Sequence, residues 1–210
     1  MLLDQLPRTK KAEKETMNDL ILKTMEENQN FFEANPNLEK IFSEIVMLTD
    51  DALEHIPKST AVSTKQIFSF HGFTPISVGI YISFLTGNIT SCFMQLRLLV
   101  EFFAFTSVAS RLYPEDDTFT QLKKVRKKYK NNISGMIKRF DLKAWELWKS
   151  LSNWLHARTY SVKVIRNVIN NEMTLGSIVQ PATYDKNDIQ QLLELKRQVR
   201  TFRKILKKVN

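Results

Sequence analysis

The 210-residue sequence predicts an all-α protein, a helical bundle of about six to seven helices. Three observations lead there. Chain breakers are scarce, five glycines and six prolines, while Leu, Lys, Glu, Ile and Phe are plentiful. Apolar residues recur three and four apart over several long segments. Most of those segments are bounded by cap-like or turn-like strings, and 43% hydrophobic with 25% charged residues suits one sizeable core.

The elements read off in order. A first helix spans about Thr9 to Phe32, with Met17, Leu20, Ile21, Thr24, Met25 and Asn28 as its inner stripe. "EANPN" breaks it. Asn35 then caps a second helix with Pro36 in its first turn, carrying Leu38, Ile41, Phe42, Ile45, Val46, Leu48 and Leu53 and stopping before Pro57. Residues 57–74 form a connection. Thr74–Pro75 is another cap and first-turn pair, opening a buried helix to about Thr86, where "TGN" is a stop and turn. The next helix, about Ile89 to Leu112, is apolar nearly all round and therefore central. "YPEDD" ends it and caps the segment Phe119–Phe140.

Asp141 caps a helix through "LKAWELWKSLSNWLHA", whose Leu142, Trp145, Trp148, Leu151, Ser152 and Leu155 share a face. Beyond it the β-branched run admits a short hairpin near 162–180, with a helix at 160–170 competing. Asp185 or Asn187 opens the last helix, apolar at Ile189, Leu192, Leu193, Leu195, Val199, Phe202, Ile205 and Leu206 and basic on its other face. The whole is read as a single helical domain, 1–210. Within it, 1–57 is an acidic helical pair that packs with the bundle or as an appendage, and 187–208 is the basic C-terminal helix.

Charge is distributed unevenly. Residues 1–60 hold seven Lys/Arg against twelve Asp/Glu, a net of −5; residues 117–210 hold twenty-one against seven, a net of +14. That asymmetry favours RNA or another polyanion as partner, or two halves of the chain attracting each other. The basic run "KKVRKKYK" offers Lys123, Lys124, Arg126, Lys127, Lys128 and Lys130 to nucleic acid, with Arg158 further on; a solvated helix face is the competing reading.

Several classes drop out. The one cysteine, Cys92, excludes an intramolecular disulfide and a multi-cysteine zinc site. His55, His71 and His156 are too scattered for a metal, and no glycine loop cradles a cofactor phosphate, so neither metal nor cofactor is expected. "MLLDQLPRTKKAEKE" lacks the pattern of a secretory signal, making the cytoplasm the expected compartment. Residues 66–96 contain no Asp, Glu, Lys or Arg, yet their dense apolar part, "ISVGIYISFL", is ten residues. A buried helix is the expectation there and a transmembrane span the weaker alternative.

Two polar pairs stand out on apolar helices. Arg97 and Glu101 are four apart, as are Ser152 and His156. Charges in an apolar helix need compensation, so the two helices are expected to face each other with these four residues in one cluster.

The strings "GNITSCFMQLRLLVEFFAFTSVASRLYPED" and "WKSLSNWLHA" resemble small prokaryotic helical proteins bearing R-x-x-x-E on one helix and aromatic-x-x-L-S-x-x-x-H on another. Those in turn resemble the HEPN superfamily, helical bundles that include metal-independent ribonucleases of toxin–antitoxin and phage-defence systems. The resemblance covers Gly87 to Ala157, inside a HEPN-like core of 75–157. It implies a dimeric bundle acting on RNA, with Arg97 and Glu101 in the first motif and Trp148, Leu151, Ser152 and His156 in the second. In such an enzyme His156 would act as general acid and base on a ribose 2′-hydroxyl and leaving oxygen, and Arg97 would stabilise the phosphorane charge. One position departs: the arginine that ribonuclease members carry shortly before the histidine is absent from Ser150, Leu151, Ser152 and Asn153. A non-catalytic interaction protein with a structural Arg97–Glu101–His156 cluster therefore stands beside the enzyme reading.

Overall fold

The computed structural model describes residues 10–54, 72–155 and 183–208. Among them are eight α-helices and no strand: α1 (Lys10–Glu33), α2 (Pro36–Glu54), α3 (Thr74–Leu85), α4 (Ile89–Leu112), α5 (Thr118–Lys128), α6 (Ile133–Phe140), α7 (Leu142–Leu155) and, after a 3₁₀ turn at Lys186–Asp188, α8 (Ile189–Leu206). The protein is an all-α bundle. The helix beyond the expected number arises because residues 119–140 divide. Asn132 accepts a hydrogen bond from the Gly135 amide, 2.7 Å, and so caps a new helix after α5 ends at Lys128. The hairpin expected near 162–180 lies outside the described residues.

α4 is the axis of the bundle, packed against α3, α5, α6, α7 and α8. Cys92, Phe93, Leu96, Leu99, Val100, Phe103 and Ala104 are all fully buried along it, so apolar residues on nearly every side find a partner. It is the one described helix long and apolar enough to cross a membrane by length and composition, and 61% of that apolar window is buried in the protein. The charge-free stretch 66–96 is no single span. A turn splits it at Gly87, whose φ of 76° favours glycine, and Asn88 then caps α4 by accepting from the Ser91 amide, 3.0 Å. α3 and α4 approach closely at Gly79, where a Cβ would meet Gln95 Oε1 at 1.8 Å.

Other termini depart in detail from the sequence reading. Thr74 is inside α3 rather than ahead of it; Phe73 holds the cap position without a side-chain cap bond. Burial fixes that end instead, with Phe73 fully enclosed against Phe102 at 5.0 Å and Phe103 at 5.5 Å. The Asn35 side-chain amide donates to the Phe31 carbonyl, 2.7 Å, and so serves the end of α1. Asp117, Asp141 and Asp185 cap α5, α7 and the 3₁₀ turn.

The acidic and basic parts of the chain meet in the bundle. α8 buries Leu192, Leu195, Val199, Phe202 and Leu206 and turns its cations toward α2. Arg203 bridges Glu44 and Asp51, Arg200 pairs with Glu44 at 2.6 Å, and Lys207 with Asp51 at 3.5 Å. Burial alone would raise the Glu44 carboxyl, but the hydrogen bonds and charges of Arg200 and Arg203 outweigh it and hold the group below its ordinary range. At the other end of the bundle, buried Asn28 donates to the Leu85 carbonyl and accepts from the Tyr184 amide, both 2.8 Å. The Tyr184 hydroxyl donates to the Phe84 carbonyl, 2.7 Å. One side chain of α1 thereby ties α3 to the segment that leads into α8.

Candidate functional site

The apolar α4 carries its two charges on a face that meets α7. Arg97 Nε donates to Glu101 Oε1 at 2.9 Å across one helical turn. The same oxygen accepts the indole N–H of Trp148 from α7 at 2.6 Å, and the Arg97 guanidinium lies 5.1 Å from the Trp148 ring centroid. Arg97 and Glu101 keep 27% and 20% of their side-chain surface exposed, so the group is a half-buried clamp at the protein surface. Charge-assisted bonds and the cation–π contact add to the packing of Ala144, Leu147 and Leu151 in holding α7 on α4.

Two functional groups in the clamp remain open. Glu101 Oε2 and the terminal amino groups of Arg97 have no hydrogen-bond partner among the described residues. Ser152 sits one turn beyond Trp148, and its hydroxyl donates to the Trp148 carbonyl at 2.8 Å, so it is tied to its own helix rather than to Arg97 or Glu101. His156, which follows Leu155 in the chain, lies outside the described residues, as does Arg158.

On the other side of Glu101 lies a cavity of about 420 Å³, within the usual range of ligand sites of about 300–1,000 Å³. Leu98, Phe102 and Phe105 of α4 line it together with Glu101. Arg126 comes from the last turn of α5, Tyr129 and Lys130 from the turn that follows it, and Ile133 and Met136 from α6. The site thus has an apolar, partly aromatic wall, one carboxylate and two cations.

α5 presents the basic run. Val125 is buried and Leu122 half-buried, which turns Lys123, Lys124, Arg126, Lys127, Lys128 and Lys130 into solvent. Lys124 pairs with Asp116 at 2.6 Å; the other five have no ion-pair partner among the described residues. On α8, Arg197, Arg200, Arg203 and Lys207 are matched by Glu194, Glu44 and Asp51, while Lys204 and Lys208 have no ion pair among the described residues. The run on and after α5 is the densest row of such cations, with Lys138 and Arg139 of α6 and Lys143 and Lys149 of α7 more widely spaced.

Among the described residues no group of His, Cys, Asp and Glu could hold a metal ion. Three contributors escaped the sequence reading: Trp148 as hydrogen-bond donor to Glu101, and Phe102 and Phe105 as cavity walls. For the two phenylalanines the signal was present in the helical spacing of 98, 101, 102 and 105 on α4; for Trp148 no local spacing gives the partner. Comparison with known families, curated proteins and solved structures gives no match to this chain.

Proposed function

We propose that this bundle binds RNA or a similar polyanion along α5, as a HEPN-like protein. The observation that carries the reading is the row of five exposed, unneutralised cations beside the cavity that Glu101 shares with Arg126 and Lys130. A strand following that row would place phosphates on the cations and admit a base against Tyr129, Phe102 or Phe105, the combination that non-specific single-strand binders use. Cleavage is the finer part of the proposal. It assigns His156 as general acid and base and Arg97, through its open amino groups, as the stabiliser of phosphorane charge, with no metal involved. The resemblance extends the proposal to a homodimer in the cytoplasm, in a toxin–antitoxin or phage-defence setting.

The test is labelled single-stranded RNA mixed with the protein in EDTA across a salt series. With five phosphates neutralised, log K against log salt should fall with a slope of about −3.5, from about −0.7 per contact. Replacing Lys127 and Lys128 by Ala should bring it to about −2. Cleavage that disappears in His156→Ala and Arg97→Ala supports the enzyme. Salt-insensitive binding, or none, would sink the nucleic-acid reading altogether.

The stacking of Arg97 on Trp148 favours one second reading, a non-catalytic interaction protein whose Arg97–Glu101–Trp148 clamp sets helix register. Under it, Arg97→Ala lowers the melting temperature and leaves RNA chemistry unaltered.

A further inference from the structure

A second cavity has no part in the proposed RNA surface. It measures about 730 Å³ and opens between α1, α2 and α3. Phe32 and Leu85 form part of its apolar lining, and Phe42 and Tyr81 meet edge to face within it at 5.3 Å. Among the described residues Glu26 and Glu33 of α1 are its only charged lining residues, and neither has a cation partner there; Glu33 accepts a hydrogen bond from the Gln29 side-chain amide at 3.1 Å. Glu27, directly beside them in sequence, is paired with Lys23 at 3.8 Å.

The apolar surface runs on past the cavity. α1 and α2 are antiparallel across a two-residue turn, and α3 lies with Leu85 beside Asn28 and Tyr81 beside Phe42. One turn further along these helices, away from the α1–α2 turn, stand Leu22, Val46 and Val78, exposed 64%, 43% and 44%. From Met25 to Glu33 the lined groove follows α1 for about 12 Å, just over two helical turns, and exposed Leu22 extends its apolar edge by one more turn. That length suits a helix laid in a groove, anchored by apolar residues at helical spacing.

We propose that this groove docks an amphipathic basic helix of a partner protein, its apolar stripe on Phe42, Tyr81 and Leu85 and its Lys or Arg side chains on Glu26 and Glu33. Charge selects the occupant. The groove lies mostly within residues 1–60, which carry a net of −5, and its charged lining residues are carboxylates without cation partners among the described residues, so a basic helix is attracted there.

The probe is a fluorescein-labelled synthetic helix of about 18 residues, five turns, with Leu on one face and Lys on the other. Its anisotropy is titrated with the full chain, alongside the same peptide carrying Glu in place of Lys. The Lys peptide should bind at least about tenfold more tightly than the Glu peptide. Its affinity should fall about tenfold in Glu26→Lys/Glu33→Lys and again in Leu22→Gln/Val78→Gln. All four positions are exposed, and unchanged thermal melts verify that each variant folds. Equal affinity for the two peptides, no binding, or binding indifferent to both variant pairs overturns the proposal. So does a concentration-dependent dimer in light scattering that Leu22→Gln/Val78→Gln dissolves, because that result gives the groove to a second copy of the chain.

Discussion

Replacing Arg203 by Met tests whether the α2–α8 charge contact holds the bundle together. The guanidinium is only 12% exposed and sits between Glu44 and Asp51, themselves 14% and 9% exposed. Removing one partner of a buried ion pair costs about 3–5 kcal/mol, because the other charge is left desolvated. Two neighbours soften that here: Arg200 still reaches Glu44, and Lys207 still reaches Asp51. A loss of about 3 kcal/mol at pH 7 follows, at the low end of the range. For a chain of this size that lowers Tm by about 6–12 °C.

The effect should also depend on pH, with a defined sign. Glu44 has a folded pKa held below its unfolded value. Its contribution is therefore complete above about pH 4.5 and disappears as pH falls through the lower folded value. Circular dichroism melts of parent and Arg203→Met, run at pH 7 and near pH 3, should show a large gap that narrows in acid. A difference below about 1 kcal/mol at pH 7, or one that stays constant into acid, would refute the reasoning.

Three further outcomes follow from the geometry. Trp148→Phe keeps the ring over Arg97 but removes the indole donor to Glu101, and should cost about 1–2 kcal/mol in urea unfolding; a neutral result would mean the clamp does not fix α7. Asn28→Ala strands the Leu85 carbonyl and the Tyr184 amide together, and should cost about 2–4 kcal/mol against about 1 kcal/mol for Tyr184→Phe. Similar losses from the two variants would show that the amide side chain is not the hub. Burial pushes the Cys92 thiol far above its ordinary range, so a thiol reagent at pH 8 should label the protein only at the rate at which it unfolds. Rapid labelling of the native state would contradict the position of α4 at the centre.

Particular residues show how much of the site was legible beforehand. The Arg97–Glu101 pair was, because a four-residue spacing on a helix brings two side chains together whatever surrounds them. The Trp148 bond was not. It depends on the rotation of α7 about its own axis, which is set by Leu147, Leu151 and Ala144 packing on the rest of the core. The stripes on α1, α2, α7 and α8 were legible as faces, yet Leu20, Phe42, Val46, Leu142 and Leu193 stay 37–54% exposed. Periodicity names a face, while only neighbouring helices decide how much of it is covered. Asn28 was placed on an inner stripe from spacing alone; that it bridges two backbone segments depends on Leu85 and Tyr184, distant in sequence.

What the sequence determined by itself was local: helix class, the cap at Asp141, a capping string at "YPEDD", a helix opening at Asp185 or Asn187, the "TGN" turn, and the segregation of charge along the chain. These follow from spacing and backbone preference within a few residues. The tertiary structure decided what the charge is for. Folding brings Glu44 and Asp51 of α2 against Arg200, Arg203 and Lys207 of α8 and neutralises them, while five cations of the run on and after α5 and Glu26 and Glu33 of α1 have no ion-pair partner among the described residues. Electrostatic pairing depends on distance in space, and distance in space is a property the linear order of residues does not carry.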